Sequence, residues 1–397
     1  MFFDYVSKKK IICDIIILVK KNVRKIIVCF SLLFCFLICG ATLFGCTSKL
    51  PDYSNYASTT YSPSNVEIFV DETGETAIKL SENRDIKILQ LTDIHIGNGP
   101  LTTKKDKKAI EAVCRLIEHT TPDLIVLTGD FVFPVPIMTG TNDNLSALKV
   151  LANVIEKYKT PWTICFGNHD AESSAKYSKS ELCDYLESDE LKYCLFNRGE
   201  FSIDGMGNHL INVYNGDSSF NSSLFFFDNG MYNGDTQLTG YQEISQSQVD
   251  WYSNKINSLS EKFGKTIPSF VFYHVPGKEY ENAWAEFRNG NKDVELCYGW
   301  ANEKNEKISS SAEIGSFFQT AVSLGSTKGI FCGHDHLNDF SVEYKGIRLT
   351  YGKSIDYTAY AFQGITNKTE QRGGTLLILK NEAFSFEIKP IKLIDIV

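Results

Sequence analysis

Seven histidines are spread over 397 residues, and five of them stand in short motifs, four of the five beside carboxylates or an amide. The motifs are Asp93-Ile94-His95, Gly129-Asp130, Gly167-Asn168-His169-Asp170, Tyr273-His274 and Gly333-His334-Asp335-His336. His119 and His209 lie outside them: His119 follows a helical stripe and His209 sits in a polar stretch, and both read as ordinary structural histidines. A single histidine of this kind is commonly a cap or a satisfied core group. Five of them, accompanied by Asp93, Asp130 and Asn168, make a metal-binding set. Imidazole and oxygen donors without thiolate favour Mn, Fe or Zn. On an extended backbone, residues two apart point the same way, so both side chains of Asp-x-His and of His-x-His can reach one ion. Glycine before Asp130, Asn168 and His334 is expected to permit a sharp turn out of each strand.

Each motif follows an apolar run that reads as a strand: Ile86 to Leu91, Leu124 to Leu127, Trp162 to Phe166, Phe270 to Tyr273 and Gly329 to Cys332. Further β-type segments lie near Ile347 to Tyr351, Thr375 to Leu379 and Phe384 to Ile388. Between the runs, apolar residues recur at helical spacing: Ile110, Val113, Cys114 and Ile117; Leu148, Leu151, Ala152 and Ile155; Ile314, Phe317, Phe318 and Ala321. These stripes are core faces. Near-continuous apolar strands alternating with amphipathic helices imply an α/β architecture whose sheets are covered, with the ligands gathered where strand ends converge. Glu172 to Gln248 reads as a long irregular insertion, about residues 172–248, that shapes the substrate mouth together with Pro276 to Ile308. Aromatics there, Phe225, Tyr232, Tyr280, Trp284, Tyr298 and Trp300, are candidates to stack a base or sugar, although packing is their commoner role. Lys278, Arg288, Lys353 and Arg372 are candidates to clamp a phosphate, against the commoner reading of solvated charge.

The ordered set Asp-x-His, Gly-Asp, Gly-Asn-His-Asp, His and Gly-His-Asp-His resembles the calcineurin-like metallophosphoesterase superfamily from about Ile86 to Ile391. Gly-Asn-His-Asp-Ala-Glu, Tyr-His-Val-Pro with Glu279-Tyr280, Gly-His-Asp-His-Leu-Asn-Asp-Phe and Leu-Thr-Tyr-Gly are similar to its purple-acid-phosphatase-like branch. That resemblance implies a four-layer α-β-β-α sandwich of two mixed sheets. It implies that Asp93, His95, Asp130 and His336 hold one metal and that Asp130, Asn168, His274 and His334 hold a second, with Asp130 bridging. Hydroxide between the ions would attack phosphorus, His169 would protonate the leaving oxygen, and Asp170 and Asp335 would support the ligands. The expected reaction is hydrolysis of phosphomonoesters. Phosphodiesters of nucleotides or lipid headgroups are the alternative, as is a non-catalytic surface binding role. Purple members carry a metal-bound tyrosine shortly after the Gly-Asp aspartate; this chain continues Phe131-Val132-Phe133 and supplies His95.

A formal charge of -8 leaves no basic face for nucleic acid, so the expected partner is a small-molecule or protein phosphate ester. The first 46 residues differ from the rest, running from a lysine-rich start through an apolar run, Ile26 to Phe44, to Leu43-Phe44-Gly45-Cys46. The latter is similar to a bacterial lipobox, which implies lipidation at Cys46. An uncleaved signal anchor is the alternative, since the apolar run is long enough to span a bilayer. Either reading makes the protein membrane-anchored through its N-terminus and extracytoplasmic, with residues 47–65 a flexible tether and 66–397 the phosphoesterase domain. Cys183 and Cys194 would be able to pair in an oxidising compartment, while Cys165 and Cys332 read as buried, inert thiols.

Overall fold

The computed structural model describes residues 51–230, 232, 240–360, 371–382 and 384–396. The basic and apolar leader, Cys46 included, lies outside the described residues. Two mixed sheets form the body. The larger has nine strands in the order β1 (Val66–Val70), β2 (Thr76–Leu80), β6 (His209–Tyr214), β7 (Phe220–Phe226), β8 (Ser269–Phe272), β10 (Thr327–Cys332), β12 (Ile347–Tyr351), β11 (Ser341–Tyr344) and β9 (Val294–Tyr298). The smaller has five, β14 (Phe386–Lys392), β13 (Gly373–Leu379), β3 (Ile86–Leu91), β4 (Leu124–Thr128) and β5 (Trp162–Cys165). Strands β3, β4 and β5 run parallel, as do β7, β8, β10 and β12, so the ligand-bearing ends within each sheet point the same way.

The apolar runs are continuous because these strands are buried on both faces. Every residue of β4, β5 and β8 is buried. One face of each sheet meets the other sheet through Ile88, Val126 and Leu377 on one side and Ile211, Phe226, Phe272 and Phe331 on the other. Phe272 stacks between Phe226 at 5.4 Å and Phe331 at 4.8 Å. Phe272→Ala is expected to cost about 3–5 kcal/mol in chemical denaturation, since neighbours on both sides prevent the gap from closing. The outer faces are covered by helices. Helices α1 (Thr103–Thr120) and α3 (Asn144–Lys157) pack on the smaller sheet's side, after the short α2 (Pro136–Thr139). Helices α5 (Gln246–Phe263), α6 (Lys278–Arg288) and α7 (Phe317–Leu324) cover the larger sheet, and α4 (Lys179–Leu186) follows β5. The architecture is the four-layer α-β-β-α sandwich. Both sheets and both helical layers are built from the compact unit that begins at Pro51, which therefore holds a complete core by itself.

The expectation of an irregular insertion at about 172–248 needs correction. Strands β6 and β7 fall inside it and pair with β2 and β8 in the larger sheet. Their polar residues disguised them: Asn212 and Ser223 are buried, Ser223 donating to Asn212 Oδ1 at 2.6 Å and Asn212 donating to Asp71 at 2.7 Å. Partners distant in sequence satisfy these groups, and a local pattern does not see them. The described part of the expected tether, from Pro51, is not free either. Tyr61 packs edge-on against Tyr158 at 4.9 Å and Ser58 donates its N–H to Glu118 at 2.8 Å. Ile314 lies outside α7 and is largely exposed. Cys183 and Cys194 are free thiols, as are Cys114, Cys165, Cys297 and Cys332. Among the described residues no helix is long and apolar enough to cross a membrane.

Candidate metal centre

The structure draws the five motifs to one edge, where the ends of β3, β4, β5, β8 and β10 meet across the two sheets. Six side chains form two triads, Asp93, His95 and His336, and Asp130, His274 and His334; within each, one donor atom per residue lies within 4.8 Å of the others. Asp130 joins them, its Oδ2 standing 3.2 Å from His274 Nε2 and 3.8 Å from His95 Nε2. Asn168 adds its Oδ1 at 3.2 Å from His274 Nε2. His169 sits beside the pair, donating its backbone N–H to Asp130 Oδ1 at 2.8 Å, with its ring 5.6 Å from that of His95.

The backbone achieves this differently from an extended strand. Asp93, His95, Asp130 and His334 have φ of 51°, 54°, 51° and 79°, left-handed conformations that cost non-glycine residues on the order of 1–2 kcal/mol each. The turns let Asp93 and His95 enter the same triad, whereas His334 and His336 separate into different ones. An extended backbone would let His-x-His reach a single ion; here the turns divide the pair. The glycines serve mainly for space. A Cβ on Gly167 would stand 2.2 Å from Asp130 Oδ1, and one on Gly333 would stand 1.9 Å from Thr92 Oγ1 and 2.9 Å from Asp93 Oδ2. Gly129 alone of the three also has positive φ, 83°.

The donors fit a pair of cations. His274 Nδ1 faces the carbonyl of Thr128 at 2.8 Å and His336 Nδ1 faces Asp356 Oδ2 at 3.1 Å, so each ring turns its Nε2 inward. There His336 Nε2 meets His95 Nε2 at 3.1 Å, and His274 Nε2 meets Asp130 Oδ2 and Asn168 Oδ1, both at 3.2 Å. Acceptors at such distances repel unless a proton or metal lies among them. Among the described residues, the buried Nδ1 atoms of His95 and His334 have no hydrogen-bond partner. In the metal-free protein protons fill the role. Burial lowers His274, but Asp130 outweighs it and pushes the ring up to about 10; burial likewise opposes His336, which Asp356 and Asp93 raise to about 9. Burial and the His336 charge hold His95 down to about 3, and burial lifts Asp93 to about 6. A metal must displace the protons of His274 and His336. Metal uptake near pH 7 is therefore expected to release protons, and apparent affinity to fall as pH falls. Calorimetry in buffers of different ionisation enthalpy counts the protons; none released would contradict these charge states.

Support for the donors comes partly from residues the motifs do not reveal. Asp356 holds His336 and accepts the N–H groups of Thr358, Ala359 and Tyr360 at 2.7, 2.7 and 2.9 Å. No motif marks it. Asp356→Ala is expected to weaken metal binding by about 10–100-fold, measured by competition with a chelator. Asn229 Oδ1 accepts the N–H groups of His274 and Val275, each at 3.1 Å. Asp170 neither orients the His169 ring nor merely turns the chain. Its carboxylate accepts the N–H groups of Asp130, Val132 and Gly167 at 3.0, 3.1 and 2.7 Å, locking the β4 and β5 ends together. Glu172 is the residue facing the His169 ring, with Oε1 3.3 Å from Nδ1. Asp335 accepts from Tyr351 Oη at 2.7 Å and Ser309 N at 2.9 Å, so it anchors a loop rather than a neighbouring histidine ring.

Phe133 packs edge-on against His95 and His169 at 5.1 and 5.0 Å. Tyr241 abuts His334 at 4.4 Å and Tyr360 stacks on His336 at 4.0 Å; neither belonged to the aromatic candidates from sequence. Of those, Tyr232 reaches the site, its hydroxyl accepting from Asn168 Nδ2 at 3.0 Å, whereas Phe225, Tyr280 and Trp284 are core. The basic candidates are engaged elsewhere: Lys278 with Glu281, Arg288 with Glu306, Lys353 with Asp339, and Arg372 with the carbonyls of Ile355 and Asp356. His209 is a core histidine, with Nδ1 toward Gly207 O at 2.8 Å and Nε2 toward Thr163 Oγ1 at 2.7 Å.

Residues 86–338, which carry every one of these donors, match the family of calcineurin-like phosphoesterases. The chain belongs to that family. It is a metal-dependent phosphoesterase of the type that uses a dinuclear centre. Among similar proteins, "Probable inactive purple acid phosphatase 28" of Arabidopsis thaliana is 30% identical over 309 residues, covering 71% of this chain and 73% of that protein. "Probable inactive purple acid phosphatase 29" of the same plant is 28% identical over 312 residues, 72% of this chain and 76% of that protein. "Phosphatase DCR2" of Saccharomyces cerevisiae is 28% identical over 284 residues, 68% of this phosphoesterase but 47% of the yeast protein.

Proposed function

We propose that this phosphoesterase is an active enzyme that hydrolyses phosphomonoesters. The observation that carries the reading is the completeness of the two triads joined through Asp130, with Asn168 and His169 beside them. Three of the similar proteins bear the word inactive in their names, and this chain keeps a donor at each position of its own motifs. Asp93, His95, Asp130 and His336 would hold one cation, and Asp130, Asn168, His274 and His334 the other. Two bound cations would supply the positive charge for the phosphoryl oxygens and acidify a water. The chain's own groups do the rest. Asp130 sets the spacing of the two triads, and Phe133 shields His95 and His169 with an apolar edge. His169, steadied at Nδ1 by Glu172, presents its other nitrogen for the proton that the leaving oxygen needs. Burial lowers the affinity of His169 for that proton, but Asp130 and Glu172 raise it, so the ring can carry one.

With Phe133 following Asp130, a tyrosinate-iron chromophore is not expected, and Mn, Fe and Zn are the proposed metals. We propose further that the leader anchors the enzyme outside the cytoplasm, through a lipidated Cys46 or an uncleaved apolar segment. The deciding experiment loads the protein with each metal and compares p-nitrophenyl phosphate with bis-p-nitrophenyl phosphate. Preferred cleavage of the monoester is expected; preference for the diester would replace the substrate class and keep the centre. Two bound metals with neither ester cleaved would leave the non-catalytic binding reading.

A further inference from the structure

We propose that the rim of this centre is a docking surface for an anionic lipid bilayer, formed by Leu101, Ile137 and the lysines that open α1. Leu101 and Ile137 are 62% and 88% exposed. They belong to one surface feature, because Leu101 donates its N–H to the carbonyl of Thr139 at 3.1 Å and so ties its loop to α2. Both segments continue from ligand-bearing strand ends. The loop to Leu101 follows His95, and α2 follows Phe133, whose ring touches His95 and His169. Both apolar tips therefore lie, along the chain, within a few residues of groups at the site.

Positive charge lies next to them. Lys104, Lys105, Lys107 and Lys108 occupy the first turns of α1 and make no ion pair among the described residues; Lys107 and Lys108 lie over the rings of Tyr56 and Tyr357 at 5.5 and 5.9 Å. Asp106, in their midst, does not cancel them outward. It is buried and its carboxylate is taken up by the N–H groups of Gly97 and Asn98 at 2.9 and 3.0 Å and by Thr102 Oγ1 at 2.8 Å. Four clustered lysines on a chain of net charge -8 are complementary to acidic headgroups, and the adjacent Leu101 and Ile137 match the depth of the headgroup boundary. A protein interface is disfavoured by the same composition, since lysine is depleted at such interfaces. The chain also enters the domain here: Tyr56, ten residues after Cys46, lies beside Lys107.

Flotation of residues 51–397 with vesicles tests this without any turnover. Binding is expected to vesicles of mixed phosphatidylcholine and phosphatidylglycerol, to weaken with salt, and to be poor on phosphatidylcholine alone. Leu101→Ser with Ile137→Ser, and separately glutamine at the four lysines, are each expected to reduce binding by at least about tenfold. Hydrolysis of a soluble ester and metal content should be unchanged in both variants, which shows that they fold. Absence of binding to the anionic vesicles, as a surface for a protein partner would give, overturns the proposal, and so does binding that the substitutions leave intact.

Discussion

Asp130→Asn is expected to lower kcat/KM for a phosphate ester by at least about a thousand-fold, some 4 kcal/mol of transition-state stabilisation. The asparagine keeps the shape of the side chain, and the Asp130 backbone N–H still donates to Asp170, so the strand-end geometry survives. What disappears is a carboxylate that lies within reach of both His274 and His95. Without it, two cations in adjacent triads repel with less negative charge between them, and one is expected to be lost. Elemental analysis should show fewer than two metals per chain, and the variant is expected to melt below the native protein, because Asp130, against the effect of burial, is held well below the usual carboxylate range by His274 and its loss leaves that buried ring without its partner. Retention of two metals with undiminished turnover would show that Asp130 is not the shared ligand.

His169→Ala is expected to slow hydrolysis by about a hundred- to ten-thousand-fold for alkyl phosphates, whose leaving oxygens need a proton. For p-nitrophenyl phosphate the loss should be much smaller, because nitrophenolate leaves without one. That split between substrates separates proton donation from a purely structural role, which would affect both esters alike. Glu172 offers a second handle, since Oε1 lies 3.3 Å from His169 Nδ1 and the residue belongs to neither triad. Glu172→Ala should reproduce the same leaving-group pattern more weakly, with metal content unchanged. Glu172→Gln, which can still accept the Nδ1 hydrogen bond, should recover most of the rate. Equal losses on both esters in these variants would remove His169 from the role of general acid.

Much of this could be read along the chain because the signals are local. Strand β3 was expected at Ile86 to Leu91 and stands there, and β12 likewise at Ile347 to Tyr351, since burial on both faces leaves an apolar run that needs no knowledge of the partner strand. The donor residues were legible for the same reason: metal chemistry restricts their types and strand ends restrict their spacing. Strands β6 and β7 were hidden because buried Asn212 and Ser223 look polar in sequence and are apolar-compatible only through each other and Asp71. The docking of Tyr61 on Tyr158 was hidden because a single ring contact across 97 positions leaves no period.

The sequence by itself determined which side chains gather at the candidate site and that parallel strands would present them along one edge. Tertiary structure decided how they are shared. Asp93 and His334 are 241 positions apart, yet the His334 N–H reaches Asp93 at 3.1 Å only because the two sheets pack face to face. Left-handed turns at Asp93, His95, Asp130 and His334 then send neighbouring histidines into different triads, and Asp356 arrives from a loop without a motif. Residue type and periodicity are properties of a segment, whereas the division of the donors between two triads is set by distances between segments, which sheet packing alone establishes.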